Sequence, residues 1–209
     1  MISHMNKEQT FRLPFKGRWL TFWGGDTKEL NRHHDSITEK YAFDFVIMDE
    51  KKQTHIGDGI RNEQYYAYGQ EVLAPGDGTV VEVVDGVRDN KPGETNLYVL
   101  PGNHVLIKHD ANIYSFIAHL RQASITVEQG QEIKSGQKIG ECGNSGSSGE
   151  PHIHFHQQDS FTYSEFKEGE VKHIAKGVKV YFDNVKIRIN NGAKVVDRYS
   201  PVKNDSVSP

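Results

Sequence analysis

The stretch SSGEPHIHFHQQD, residues 147 to 159, carries a histidine at every second position from 152 to 156. In a β-strand successive side chains point to opposite faces, so His152, His154 and His156 share one side while Ile153 and Phe155 turn the other way into a core. Imidazoles side by side suit a divalent metal. Zinc takes neutral imidazole nitrogen, in four-coordinate sites of which a catalytic one keeps a position for water. An exposed, histidine-rich edge strand without any ligand would show the same letters, so the chemistry depends on groups supplied from elsewhere in the chain.

The chain that must supply them has 209 residues, enough for one domain with a real core, and an apolar fraction of 35% that leaves room for substantial loops. Its formal net charge is -3, from 25 Lys+Arg against 28 Asp+Glu, which gives no basic excess for a nucleic-acid groove or an anionic membrane surface. A single cysteine, Cys142, excludes an intrachain disulfide framework and a cysteine-based zinc cluster, so any metal relies on histidine and carboxylate. Cys142 itself, between GE and GN, reads as a small core residue. No run approaches the roughly 20 apolar residues of a membrane-spanning helix. The start, MISHMNKEQT, lacks the apolar centre of a signal peptide, and its SHM resembles the remnant of an expression tag.

Helix signals are scarce, and alternating β-branched and aromatic residues bounded by Gly, Asn and Asp predict a mostly antiparallel β protein. In YAFDFVIM, Tyr41, Phe43, Phe45 and Ile47 fall on one face, and Asp44 falls on the other, inside a strand where a carboxylate needs a reason. EVLAPGDGTVVEVV predicts two strands joined as a hairpin by a Pro-Gly-Asp-Gly turn. HVLIKHD and IYSFIAHL predict a second hairpin that delivers His119 at its end. KGVKVYFDNVKIRI predicts a further strand pair.

YSFIAHL, GQKIGECGNSG and EPHIHF, in this order, together resemble the lysostaphin-type (LytM-like) zinc metalloendopeptidases. The similar segment runs from about Asp44 to Phe155. The resemblance implies an all-β fold, an antiparallel sheet related to the biotin/lipoyl barrel-sandwich hybrid, with long loops such as 49–69 and 86–103 around a groove. It implies residues 1–30 as an N-terminal extension, with tag-like residues at 1–5, residues 31–198 as a single peptidase domain, and 199–209 as a flexible tail. It also implies Zn2+ as cofactor, His154 and Asp44 as metal ligands, and His119 and His152 as catalytic histidines that do not bind metal.

The pattern departs from the family at the first ligand. The family places a histidine four residues before the aspartate, where this chain has Lys40, whose ammonium offers no lone pair. His33 and His34 in ELNRHHDSITEKYAFDF are the nearest substitutes. NRHHDSITEKYAFDF resembles a subgroup that keeps an Asn-x-His about ten residues before the aspartate, which selects His33. Asn31 would then hydrogen-bond nearby backbone and hold the loop over the metal, while His34 faces solvent or a partner behind the site.

The remaining histidines fit other roles. His104 and His109 are out of phase on one strand and are expected to be structural or at the surface. His156 keeps the ligand parity but lies farther along, at the surface or at the rim behind the ligands.

Taken together, the expected activity is zinc-dependent endopeptidase cleavage of amide bonds in bacterial peptidoglycan peptides by a secreted or envelope-located monomer, with no nucleic-acid partner and no membrane span. No H-E-x-x-H helix supplies a glutamate base, and no carboxylate pair suggests a glycosidase. The alternative is a catalytically inactive regulatory or wall-binding relative of the same fold. A biotin- or lipoyl-carrier domain would share the hairpins but needs a modifiable lysine in a Met-Lys-Met or Asp-Lys context, which Lys134 lacks.

Overall fold

The computed structural model describes residues 11–161, 164–167, 170–189 and 192–209. The tag-like residues 1–5 lie outside them. The strands are β1 (Trp19–Trp23), β2 (Phe43–Val46), β3 (Glu71–Leu73), β4 (Gly78–Val84), β5 (Asn103–Lys108), β6 (Tyr114–Leu120), β7 (Glu132–Ile133) and β8 (Lys138–Glu141). They continue with β9 (Ile153–Gln158), β10 (Ser164–Lys167), β11 (Glu170–Ile174), β12 (Gly177–Val178), β13 (Val185–Ile189), β14 (Gly192–Val196) and β15 (Ser206–Ser208).

The fold is all-β and antiparallel. The main sheet runs β14-β13-β15-β1-β2-β9-β6-β5-β4-β7, with β12 added on β9, and the pairs β10-β11 and β3-β8 stand apart. One face of the main sheet, through Phe43, Phe45, Val105, Ile117, Ile153 and Phe155, packs against Val72 and Ile139 of the small β3-β8 sheet and against Leu13, Phe15 and Trp19. The opposite face carries the histidines.

Register follows from this division. Asp44 stands opposite His154 on β9, and His154 stands opposite Ala118 on β6, while Phe43, Phe155 and Ile117 line up on the core side. A slip of one residue would turn every one of those apolar side chains out to the other face, at about 1.5–3 kcal/mol for each large side chain. The energetics of the core thus fix the lateral alignment of the polar face.

Four expectations meet a different arrangement. The Pro-Gly-Asp-Gly turn does not close a hairpin, because β3 pairs with β8 while β4 pairs with β5 and β7, so the turn carries the chain from one sheet to the other. The segment 177–189 does not pair with itself: β12 adds to β9, and β13 lies between β14 and β15. Residues 199–209, expected as a tail, contain β15, which pairs with β1 and β13 and buries Val207 completely. Residues before 31 likewise give Leu13, Phe15 and Trp19 to the core, so β1 and β15 extend the sheet rather than hang from it. β5 and β6 do pair as the expected hairpin.

Candidate metal centre

His33, Asp44 and His154 bring three ligand atoms within 4.8 Å of one another. Asp44 reaches the site because strand parity turns it away from Phe43 and Phe45, and it is buried. Its two oxygens are divided between two rings: Oδ2 lies 3.1 Å from His33 Nε2, and Oδ1 lies 3.0 Å from His154 Nδ1. Around an ion with bonds of about 2.1 Å, tetrahedral donors stand about 3.4 Å apart. The donor set therefore suits a divalent ion in both type and spacing, with little movement needed to admit one.

His33 sits in a run of turns, not in an extended segment, so its separation from His34 does not come from strand alternation. Asn31 shapes these turns. Wholly buried, it donates from Nδ2 to the carbonyls of Gly25, Lys40 and Ala42, and accepts the His33 backbone N–H at Oδ1. His34 points away, toward Asp35 at 3.3 Å. Lys40 contributes its carbonyl to Asn31, and its ammonium lies over the Tyr41 ring.

Two further groups hold these side chains in place, and neither is apparent from sequence spacing. Glu39 Oε2 lies 3.4 Å from His33 Nδ1, so the Nδ1–H turns to a carboxylate and Nε2 turns to Asp44. Half-exposed Arg32 places Nε 3.2 Å from Asp44 Oδ2. Burial disfavours a charged His33, but its hydrogen bonds to Asp44 and Glu39 outweigh that and raise its pKa to about 9. Burial likewise opposes the Asp44 carboxylate, yet the surrounding histidines, with His33 hydrogen-bonded to it, hold it well below the usual range. At His33, between two carboxylates, positive charge is favoured.

His119 arrives by a different device. Between Asn103 and Val105 the β5-β6 register shifts, so one residue of β5 faces two of β6, and His119 has a left-handed φ of 62°. That bulge turns its ring to the same side as Ala118 and His154, at a cost of about 1–3 kcal/mol for a non-glycine residue. The backbone is pinned by His119 N–H to Pro101 O and Gly143 N–H to His119 O. The ring is pinned by Nδ1–H donating to Ser145 O at 2.8 Å. Ser145 is fixed in turn because Gly146, at φ 77°, lies so close to Gly102 that a Cβ would fall 2.3 Å from the Gly102 nitrogen. Only glycine permits that contact.

His152 has the same polarity as His119. Its Nδ1–H donates to Glu150 O at 2.8 Å, which leaves Nε2 with a lone pair, buried and without a hydrogen-bond partner, 3.8 Å from Asp44 Oδ1. Burial is the first cause that lowers the pKa of both rings, and neighbouring histidines lower that of His119 further. Two neutral imidazoles thus present basic nitrogens to one spot.

His104 and His109 do face opposite sides of the sheet, but His104 stacks on Phe116 at 4.8 Å and lines the groove. His109 bonds to Asp77 O and Ser115 Oγ beneath. His156, expected at the surface or the rim, is only 1% exposed, and its Nδ1 lies 3.1 Å from His154 Nε2. Glu39, His154 and His156 form a second set with ligand geometry that shares His154 with the first. Cys142 is a buried core residue, as expected, with burial pushing its thiol pKa well up.

A cavity of about 720 Å³ opens onto the centre. It is lined by Tyr98, Val99, Leu100 and Pro101, by Arg32, His33, Glu39 and Phe161, and by His104, Leu106, Phe116 and Ala118 of β5 and β6. The loop 86–103 contributes as expected. The His33 loop lines it as well, and residues 49–69 do not.

Residues 59–165, slightly more than half of the chain, match the family model described as Peptidase family M23. An 87-residue stretch is 33% identical to the peptidoglycan DD-endopeptidase ShyA of Vibrio cholerae, covering 42% of this chain and 17% of that protein. A 79-residue stretch is 37% identical to a lipoprotein NlpD/LppB homologue of Pseudomonas aeruginosa, covering 38% and 22%. The chain thus matches less than a quarter of the length of these relatives. The catalytic domain of lysostaphin from Staphylococcus simulans superposes with a TM-score of 0.39 at 20% identity, over 70% of this chain and 84% of that one. A zinc-containing peptidase from Vibrio cholerae gives 0.42 at 19%, over 81% and 39%. The matched segment includes His119, His152 and His154 but ends short of His33 and Asp44, which the sheet and the Asn31 turns bring to the same place. The chain belongs to peptidase family M23, the LytM-like metallopeptidases.

Proposed function

We propose that this chain is a zinc-dependent endopeptidase that hydrolyses amide bonds in the peptides of bacterial peptidoglycan, acting in the cell envelope or outside the cell. The observation that carries the reading is the pair of neutral imidazoles, His119 and His152, aimed at the edge of a three-donor centre of His33, Asp44 and His154. A divalent ion held by those three residues would supply the positive charge that acidifies water and polarises a scissile carbonyl.

The chain's own groups do the rest. His152 and His119 each have Nδ1–H committed to a backbone carbonyl, so Nε2 is the atom that takes a proton from the attacking water. The imidazolium so formed is disfavoured by burial, which drives the proton onward to the departing amine. The ring N–H, while it lasts, also donates to the tetrahedral oxyanion. The open groove, walled by residues 98–101, accepts an extended peptide across the centre. The peptidoglycan substrate is inferred from family membership and from the DD-endopeptidase activity for which the Vibrio cholerae relative is named.

The test is digestion of purified peptidoglycan with the zinc-loaded chain, followed by mass spectrometry of the released muropeptides. The expected result is new amino groups without new reducing ends, abolished by a chelator and restored by Zn2+. Zinc binding without any cleavage would move the chain to the regulatory alternative, and no zinc binding at all would sink the metal reading as well.

A further inference from the structure

Beyond the three ligands lies a chain of buried polar contacts that the proposed mechanism does not use. β9 has period two, so His154, His156 and Gln158 lie in file on its site face, and all three are buried. His154 Nε2 is 3.1 Å from His156 Nδ1, and His156 Nε2 is 3.0 Å from Gln158 Oε1. The Gln158 amide is oriented by its other end, because Nε2 donates to Ser160 O at 2.7 Å and a carbonyl can only accept.

The direction of every hydrogen bond in the file follows. Gln158 Oε1 is an acceptor, so His156 carries its hydrogen on Nε2. His156 Nδ1 then has a lone pair, so His154 must carry its hydrogen on Nε2. His154 Nδ1 is left bare, 3.0 Å from the carboxylate oxygen of Asp44. Three contacts run between two acceptor ends, and two rings that each carry a single hydrogen, the form an imidazole takes when it ligates an ion, have only two to give. The contact left without one is the Asp44–His154 gap. Two acceptors at that distance repel each other unless a cation stands between them.

We propose that His156 and Gln158 are positioning residues, a two-step relay that fixes the hydrogen of His154 on Nε2 and so holds its Nδ1 lone pair open for the ion shared with Asp44. The inference rests on the reading of His33, Asp44 and His154 as the cation site. His156 is suited to the task because stacking on Phe116, ring centroids 5.0 Å apart and planes at 19°, sets its ring plane, and the Gln158 contact sets which edge faces His154. The same geometry disfavours an ion between Glu39, His154 and His156, since that set needs the His154 Nε2 hydrogen removed.

The test uses the full chain, Zn2+ alone, and two substitutions that separate packing from hydrogen bonding. His156→Phe keeps a ring against Phe116 and removes the acceptor; His156→Asn loses the ring but places an amide oxygen near the position of Nδ1. Zinc affinity, read by competition with a chelator, should fall about 10- to 100-fold in His156→Phe and much less in His156→Asn, with Gln158→Leu between them. Long-range proton–nitrogen NMR of the wild-type chain, which needs no variant to fold, should show zinc-loaded His154 ligated through Nδ1 with hydrogen on Nε2. Ligation through Nε2, coordination by His156, or equal zinc affinity in wild type and His156→Phe would each overturn the relay and leave the peptidase reading standing. Failure of the wild-type chain to bind zinc would remove both.

Discussion

His119 and His152 stand with ring centroids 4.8 Å apart, each with Nδ1 turned to a backbone carbonyl; the His119 ring lines the groove, and His152 Nε2 lies buried 3.8 Å from Asp44 Oδ1. Neither ring offers an atom to the His33, Asp44 and His154 group that could hold an ion. Substituting either with Ala should therefore lower peptide cleavage by at least about 100-fold, the ordinary worth of a general acid–base group, while zinc content stays near one per chain. Asp44→Ala or His154→Ala should lose both. Zinc loss from His152→Ala as complete as from His154→Ala would show that the roles of the two rings are interchanged.

The turn that carries the adjacent histidines separates their fates. His33 lies 3.1 Å from Asp44, whereas His34 contacts Asp35 at the surface. His33→Ala should cut zinc affinity by orders of magnitude, and His34→Ala should leave metal content unchanged. Elemental analysis after mild dialysis decides between them, and the reverse outcome would make His34 the ligand.

The strand-borne part of this centre was legible because alternation is a local rule. HIHFH placed a row of imidazoles on one face, and a lone carboxylate in YAFDFVIM announced that Asp44 was held there for a purpose. Parity gives a face but not a depth, which is why His156 reads as a surface residue although Phe116 and Gln158 bury it. Glu39 and Arg32 sit in turns with no period to betray them. The left-handed backbone of His119 has no signature in the letters, since it is imposed by Pro101 and Gly143 from distant parts of the chain. The tail-like VKNDSVSP conceals a strand because one buried valine, Val207, and pairing on both sides suffice to order it.

Away from the centre, His109 gives the fold a dependence on acid. It is buried between Asp77 O and Ser115 Oγ, and burial lowers its pKa from 6.5. The unfolded chain thus takes up a proton near pH 6.5 that the folded chain resists, so stability is full above that value and declines as pH falls below it. Between about pH 7.5 and about pH 5, His109→Gln should lose less stability than the wild type, measured by urea unfolding. Equal losses would assign the acid sensitivity to other groups.

Asn31 offers a test of how the His33 loop is held. One amide nitrogen with two hydrogens serves three carbonyls, those of Gly25, Lys40 and Ala42, and the amide oxygen takes the His33 N–H. Asn31→Ala strands those buried groups, which should cost about 1–3 kcal/mol of stability. Because the same contacts set where His33 stands, zinc affinity should fall as well, although Asp44 and His154 keep their mutual register on β2 and β9. Asn31→Asp is the sharper probe. It preserves size and the oxygen that accepts from His33, but turns a second carboxylate oxygen toward three carbonyls in a site shut off from water. Repulsion there should make Asp at least as damaging as Ala, in both unfolding free energy and zinc competition. An Asp variant that behaves like the wild type would mean that the carbonyl contacts are incidental and that the loop is positioned by Glu39 and the ion alone.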